Sequence, residues 1–502
     1  MVTTLSTPRT ISFNKVQGDL ELSVEITDNC VTNAWSKGTM YRGFENMLVG
    51  RGSRDGLVLT PRVCGMCGIA HLFAAVKSLE MICDVTPPNN AILVRNITLL
   101  AEHIQSDIRH AVLIFLKDFT NSAYSETPLY DEAVLRYESF HGSSIIETIR
   151  MTKKILEVVA ILGGQWPNSS FMVPGGIAGT PSYNDLVSCK YIINLFRRWY
   201  EEQILGCSIQ RWLEIQSEAD LQRWMNENES HINSDLGFFI RFSHLVDLHK
   251  LGSGFGNFIS FGEQQLPDGK LNINSFSSHF TRGVLTGSIS QTLEQKNISE
   301  HVTYSHFKDY AGGKHPFDGQ TDPHVTRYEG VKYSFAKAPR YNDLPYETGP
   351  LAQMLVGKNR LFQDLINTYG SSAYVRQLSR IARPAILLPI MQSWLEEIDH
   401  KAPYYTTTRE IADGQGFGLV EASRGALGHW VKIANNQIAH YQIITPTTWN
   451  GSPRDQHNTR GPWEEAVVGT PVKDPDNPIE IEHIIRSFDP CQVCSVHMAQ
   501  KK

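Results

Sequence analysis

Arg62-Val63-Cys64-Gly65-Met66-Cys67-Gly68-Ile69-Ala70-His71 and Asp489-Pro490-Cys491-Gln492-Val493-Cys494-Ser495-Val496-His497 decide how this chain is read. Each stretch holds a Cys-x-x-Cys pair, and more than four hundred residues separate the two. A pair can pinch one soft metal between two thiolates. Four thiolates brought together make a site for zinc, an iron-sulfur cluster, or nickel and iron. No such site exists in an unfolded chain, so metal binding would join the two ends of a large fold. Structural zinc stays open on the cysteines alone, although compact zinc sites usually close within about 15 to 20 residues between pairs.

Composition narrows the function classes. The 502 residues allow one very large domain or two or three ordinary ones. Hydrophobic residues are 41% and charged residues 20%, enough apolar material for a sizeable core. The formal charge of −6 comes without a basic run, which argues against a nucleic-acid or anionic-membrane partner. No stretch of eighteen apolar residues and no basic-then-apolar leader occurs, so a soluble chain is expected. Cys30, Cys83, Cys189 and Cys207 lie singly, which fits reduced thiols better than a disulfide framework. A cytoplasmic location is the simplest expectation, with membrane association through partners left open.

Residues 11 to 26 alternate as a hairpin or small sheet would. Helical periodicity follows at 68 to 83, 91 to 118, 144 to 162, 182 to 227, 351 to 368 and 373 to 399, the last interrupted by Pro384 and Pro389. Between 237 and 335 the pattern suggests loops and short strands. From 417 to 449 it reads as strands joined at Asn435-Asn436. No linker or internal repeat divides the chain. The expectation is an α+β, mainly α, fold: a long-helix bundle with small peripheral sheets, in one domain over 1-502.

The two cysteine stretches resemble the signatures of the nickel-iron hydrogenase large subunit. Arg42-Gly43-Phe44-Glu45, Lys337-Ala338-Pro339-Arg340-Tyr341, Glu347-Thr348-Gly349-Pro350, Arg424-Gly425-Ala426-Leu427 and Gly469-Thr470-Pro471-Val472 follow in family order. Gly164-Gln165-Trp166-Pro167 and Val173-Pro174-Gly175-Gly176 look most like the branch of cyanobacterial uptake enzymes and hydrogen sensors.

The resemblance implies that Cys64 and Cys491 bind nickel terminally, while Cys67 and Cys494 bridge it to an iron carrying two cyanides and one carbon monoxide. Thiolates suit a redox-active late transition metal, and a terminal thiolate can accept a proton when H2 is split. Cys491 takes that role by family register. Arg424, Asp107 and Asp489 match a charged canopy, with both carboxylates expected to hold the guanidinium. Pro446 and Thr447 match positions lining the diatomic ligands, and His71 is expected to donate to a bridging sulfur. Glu45, the Ile443 carbonyl and His497 match a Mg2+ site. Met66 and Phe115 fall, by register, where the family narrows its gas channel.

Three departures stand out. Ser423 precedes Arg424 where many relatives have Pro. Gln17 replaces the carboxylate that relays protons from the thiolate, and an amide does not take up and release a proton near neutral pH. Only Met498-Ala499-Gln500-Lys501-Lys502 follows His497, where precursors of the family commonly carry a longer extension that an endopeptidase removes. The 497/498 bond is therefore a candidate processing point.

The function expected is heterolytic cleavage of H2, with electrons passed to an iron-sulfur small subunit, because this chain has no further grouped cysteines for clusters of its own. Maturation factors and a higher oligomer of heterodimers are expected with it. A hydrogen sensor with slow turnover is the alternative. A non-catalytic relative of the quinone-reductase type fits poorly, since that relative lacks the cysteine pairs.

Overall fold

The computed structural model describes residues 8–13, 20–262, 277–325, 330–408 and 410–491. Gln17, Cys494, His497 and the 498–502 tail lie outside them.

A central helix, Asn89–Arg109, organises the molecule, and residues 90 to 108 are all buried. A helix buried on every side needs each polar side chain matched. Here Arg95 makes a two-pronged bond to Glu80 at 2.8 and 3.2 Å and also donates to the carbonyls of Val173 and Gly176. His103 Nε2 lies 3.1 Å from the Glu421 carbonyl oxygen. Asp107 accepts two bonds from Arg383. The helix passes into a π-helical turn, His110–Phe115, where an α-helix was expected to run on to 118. Such turns often mark functional sites because they re-aim side chains.

The helical stretch expected over 182 to 227 is divided among several elements. Tyr183–Trp199, capped by Ser182 and Asp185, ends in a π-turn, and two short helices, Ile209–Leu213 and Glu218–Met225, follow. Ser208 and Ser217 cap those short helices, a local start signal that apolar periodicity does not register. The 373 to 399 stretch divides at Arg383 into Ala373–Ala382 and Pro384–Glu397. Pro384 takes a first-turn position, where its missing N–H costs nothing, while Pro389 lies inside the second helix. Within 237 to 335 short strands occur as expected, but Asp235–Leu245 forms a helix.

The N-terminal sheet pairs Arg9–Phe13, Leu20–Thr27 and Cys30–Gly38 antiparallel, with Ile11 opposite Leu22. A second three-stranded sheet comprises Gly414–Ala422, Gly425–Ala434 and Gln437–Ile444. Asn435 and Asn436 take the left-handed conformation in its second turn, as their residue type permits. The helix Gly68–Cys83 lies directly on the first strand of this sheet. A Cβ at Gly416 or Gly418 would fall 2.1 or 1.9 Å from the carbonyl oxygens of Ser78 or Ala74, so only glycine allows this approach. One apolar cluster runs from Leu22 to Cys491 and includes Cys64 and Cys67. Among the described residues, no helix is long and apolar enough to cross a membrane.

Candidate metal centre

The first cysteine pair sits between a short 3-10 turn, Thr60–Arg62, and the start of the helix Gly68–Cys83, with Cys67 at the N-cap. Cys67 offers no side-chain cap. Instead Glu102, reaching across from the central helix, accepts hydrogen bonds from the Ile69 and Ala70 amides at 3.0 and 3.2 Å. A carboxyl at a helix N-terminus satisfies donors that would otherwise be orphaned. Burial nevertheless pushes the Glu102 pKa up to about 8, since those two amides only partly offset the lost hydration. Its role had no sequence signal, because a Glu inside a helical pattern reads as a solvated residue.

Cys491, the first cysteine of the second pair, arrives from the other end of the chain. Helix Ile479–Ser487 ends, Asp489 turns through φ +56°, and Cys491 is fully buried. Its amide donates to Thr447 Oγ1 at 3.1 Å, which leaves the hydroxyl proton of Thr447 to donate elsewhere. Thr447 and Pro446 stand on the short helix Pro446–Asn450, whose N-cap is Thr445. The Sγ atoms of Cys64 and Cys491 approach to 3.4 Å. Among the described residues no group of three or more His, Cys, Asp or Glu is arranged to hold a metal, and the fourth cysteine of the expected set, Cys494, lies outside them. Of the lone cysteines, Cys189 is buried, while Cys30, Cys83 and Cys207 are half-buried.

Arg424 occupies the two-residue turn between the strands ending at Ala422 and starting at Gly425. Gly425 has φ +120°, and a Cβ there would strike Thr348 Oγ1 at 2.3 Å, so this turn is held tightly against the Glu347-Thr348-Gly349 segment. The Ser423 carbonyl accepts from Arg383 Nη2 at 2.7 Å. Hydrogen bonding thus pins a turn that a proline ring would stiffen.

Arg424, Asp489 and Asp107 are all buried, but they do not pair as one group. Asp489 Oδ1 lies 3.0 Å from Arg424 Nε, and its other oxygen lies 3.2 Å from Arg380. Asp107, by contrast, does not hold Arg424. It is clasped by Arg383 at 2.7 and 2.8 Å, with Arg380 at 3.6 Å. Arg380 stands on the helix Ala373–Ala382 and Arg383 at the junction with the helix Pro384–Glu397, a tertiary placement that spacing could not show. Three guanidiniums therefore face two carboxylates, a surplus of one positive charge. His110, 3.8 Å from Asp489, adds none, because burial drives its pKa down to about 3. Burial alone would lower the Arg424 pKa, but Asp489 and then Cys491, Cys64 and Cys67 outweigh it and hold the charge.

His71 Nδ1 lies 3.0 Å from His429 Nε2, and His429 Nδ1 lies 2.9 Å from the Tyr441 hydroxyl. His71 Nε2 is buried with no hydrogen-bond partner among the described residues, and so is Arg424 Nη1. The expected donation from His71 to a sulfur is thus not drawn by the protein atoms described. Both orphaned groups lie within the field of the thiols.

Glu45 Oε1 accepts from the Ile443 amide at 2.9 Å and from Gln442 Nε2. Its other oxygen accepts from Thr321, with Lys337 at 3.7 Å. A pocket lined by Glu45, Glu300, Thr321, Lys337, Ile443 and Thr448 opens beside it. Phe115 is fully buried among Phe119, Phe239 and His483, and Met66 is half-buried against the core.

Comparison with known proteins agrees with this architecture. The family model for the nickel-dependent hydrogenases matches residues 42–123 and 119–497. The chain is 30% identical to the periplasmic [NiFeSe] hydrogenase large subunit of Desulfomicrobium baculatum, over 97% of this chain and 94% of that one. It is 28% identical to the uptake hydrogenase large subunit of Rhizobium leguminosarum, over 96% and 94%. The crystal structure of the reduced, active Ni-Fe-Se hydrogenase from Desulfomicrobium baculatum superposes with a TM-score of 0.84 at 28% identity, covering 98% of this chain and all of that one. With its cysteine-bearing ends folded together beneath a buried arginine, and with matches over nearly its whole length, the chain belongs to the nickel-dependent hydrogenase family as a large subunit.

Proposed function

We propose that this chain cleaves H2 heterolytically at a nickel-iron centre held by Cys64, Cys67, Cys491 and Cys494, with two cyanides and one carbon monoxide on iron. The observation that carries this reading is the meeting of the buried Cys64 and Cys491 at 3.4 Å, within the field of Arg424. The donor set fits a soft, redox-active metal, and the surplus positive charge above it suits thiolates and an anionic centre. The orphaned His71 Nε2 and Arg424 Nη1 call for acceptors that the described residues do not provide.

When bound, the centre supplies Lewis acidity and two-electron redox capacity. Cys491 Sγ takes the proton, and Asp489 holds Arg424 near the thiols with a fixed charge that cannot be lost. Net, one H2 yields two protons and two electrons, the electrons leaving through an iron-sulfur small subunit. Thr447 offers its hydroxyl proton to a diatomic ligand while its oxygen holds the Cys491 amide. Glu45, the Ile443 carbonyl and His497 are proposed to bind Mg2+ and clamp the C-terminal segment. The reading includes one domain over 1-502, maturation factors, an endopeptidase acting at 497/498, a higher oligomer of heterodimers, and a cytoplasmic location.

Sensing, with slow turnover, is the second reading, favoured by Gln17. Both readings share one test. The purified complex should contain nickel and iron and show infrared bands of cyanide and carbon monoxide. Zinc in their place, with no such bands, would overturn both.

A further inference from the structure

His429 and Tyr441 have no part in the chemistry above, yet the buried chain they form with His71 ends at the cysteine loop. His71 is the fourth residue after Cys67, and its amide donates to the Cys67 carbonyl at 3.2 Å. The three side chains are 4%, 0% and 0% exposed. Contacts of 2.9 and 3.0 Å join them through opposite nitrogens of His429.

We propose that His429 and Tyr441 are positioning residues that lock His71 in the tautomer with its proton on Nε2, so that an N–H is always offered to the metal site.

Both imidazoles are fully buried and meet through ring nitrogens 3.0 Å apart, a contact that holds a single proton, so both are neutral. Each ring then carries one donor and one acceptor, and the chain can run in only two directions. Run outward, His71 Nδ1 donates to His429, and His429 Nδ1 donates to the phenol oxygen. The Tyr441 proton would then be buried with no acceptor among the described residues, and His71 Nε2 would be a bare lone pair. An unmade buried bond of that kind costs about 1 to 3 kcal/mol. Run inward, Tyr441 O–H donates to His429 Nδ1, His429 Nε2–H donates to His71 Nδ1, and every protein proton but one is matched. That one is on His71 Nε2, the atom without a hydrogen-bond partner among the described residues. The phenol therefore sets the direction through two rings, as partners beyond the first shell commonly do for groups around a metal.

This inference rests on the nickel-iron reading, and infrared spectra separate the two. A donor at the centre withdraws electron density, so its loss should move the carbon monoxide band to lower wavenumber. The test compares Tyr441→Phe, His429→Leu and His429→Gln in the purified complex, at one redox state and without turnover. Tyr441→Phe removes one oxygen, and should split or shift the band as the second tautomer becomes populated. His429→Leu should shift it further. His429→Gln should restore the wild-type position, since an amide N–H can donate to His71 Nδ1. Wild-type band positions in both Tyr441→Phe and His429→Leu would overturn the proposal. So would metal loss with unmoved bands in the loaded fraction, the mark of a merely structural role. Absence of bands from the wild-type complex would instead overturn the nickel-iron reading itself.

Discussion

Asp489→Asn removes one charge and almost no volume. Asparagine also tolerates the left-handed backbone that Asp489 adopts at φ +56°, so turn and packing should survive. What is lost is the counter-charge of two buried guanidiniums, Arg424 at 3.0 Å and Arg380 at 3.2 Å. The cluster then holds three arginines against Asp107 alone. Removing one partner of a buried pair costs about 3 to 5 kcal/mol, because the other charge stays desolvated. With two partners stranded, the upper half of that range is expected. It is a large part of the roughly 5 to 15 kcal/mol that holds a typical domain folded. Urea unfolding of the purified complex, followed by tryptophan fluorescence, should show the midpoint fall. Hydrogen-dependent dye reduction should fall as Arg424 loses its anchor. Adding Arg380→Gln removes one stranded charge, so the double variant should be more stable than the sum of the single losses, by about 0.5 to 3 kcal/mol. An unchanged midpoint in Asp489→Asn, or strict additivity in the double variant, would refute the charge accounting.

Cys491→Ser should abolish hydrogen cleavage and nickel retention, since a hydroxyl is a harder and far less acidic ligand, whereas Cys189→Ser should leave both nearly intact. Gln17→Glu should raise hydrogen-dependent dye reduction about tenfold or more, general acid-base steps being worth roughly 10² to 10⁴-fold. Equal turnover would mean that protons leave by another route. Stability should also depend on pH in a defined sense. Burial raises Glu464 from 4.5 to about 7, so the folded state holds a proton that the unfolded state releases between those values. Its contribution is present in full below about pH 4.5 and lost as pH rises to about 7, by roughly 3 kcal/mol. Glu464→Gln, neutral throughout, should flatten the curve in that window, and a variant with the parent's slope there would show that Glu464 is not the source.

The cysteine pairs, the helical periodicities and the small sheets were legible because each is written in local spacing: two residues between thiols, three or four between apolar positions, two along a strand. Family register added Arg424, Asp489, Thr447 and Glu45 as residues of interest. What spacing could not carry was the pairing of charges. Asp107 was expected on Arg424 and is held by Arg383, because the helix that crosses it sets the partner, and nothing in a one-dimensional pattern records that crossing. Glu102 and His429 were invisible for the same reason, since a Glu within an apolar-periodic helix or a His within a strand looks ordinary until burial removes its water. The sequence by itself determined which residues could bind a soft metal and that both ends of the chain must meet. Tertiary structure alone decided which buried group faces which, because in a desolvated interior the nearest neighbour, and not the residue type, sets charge, tautomer and hydrogen bond.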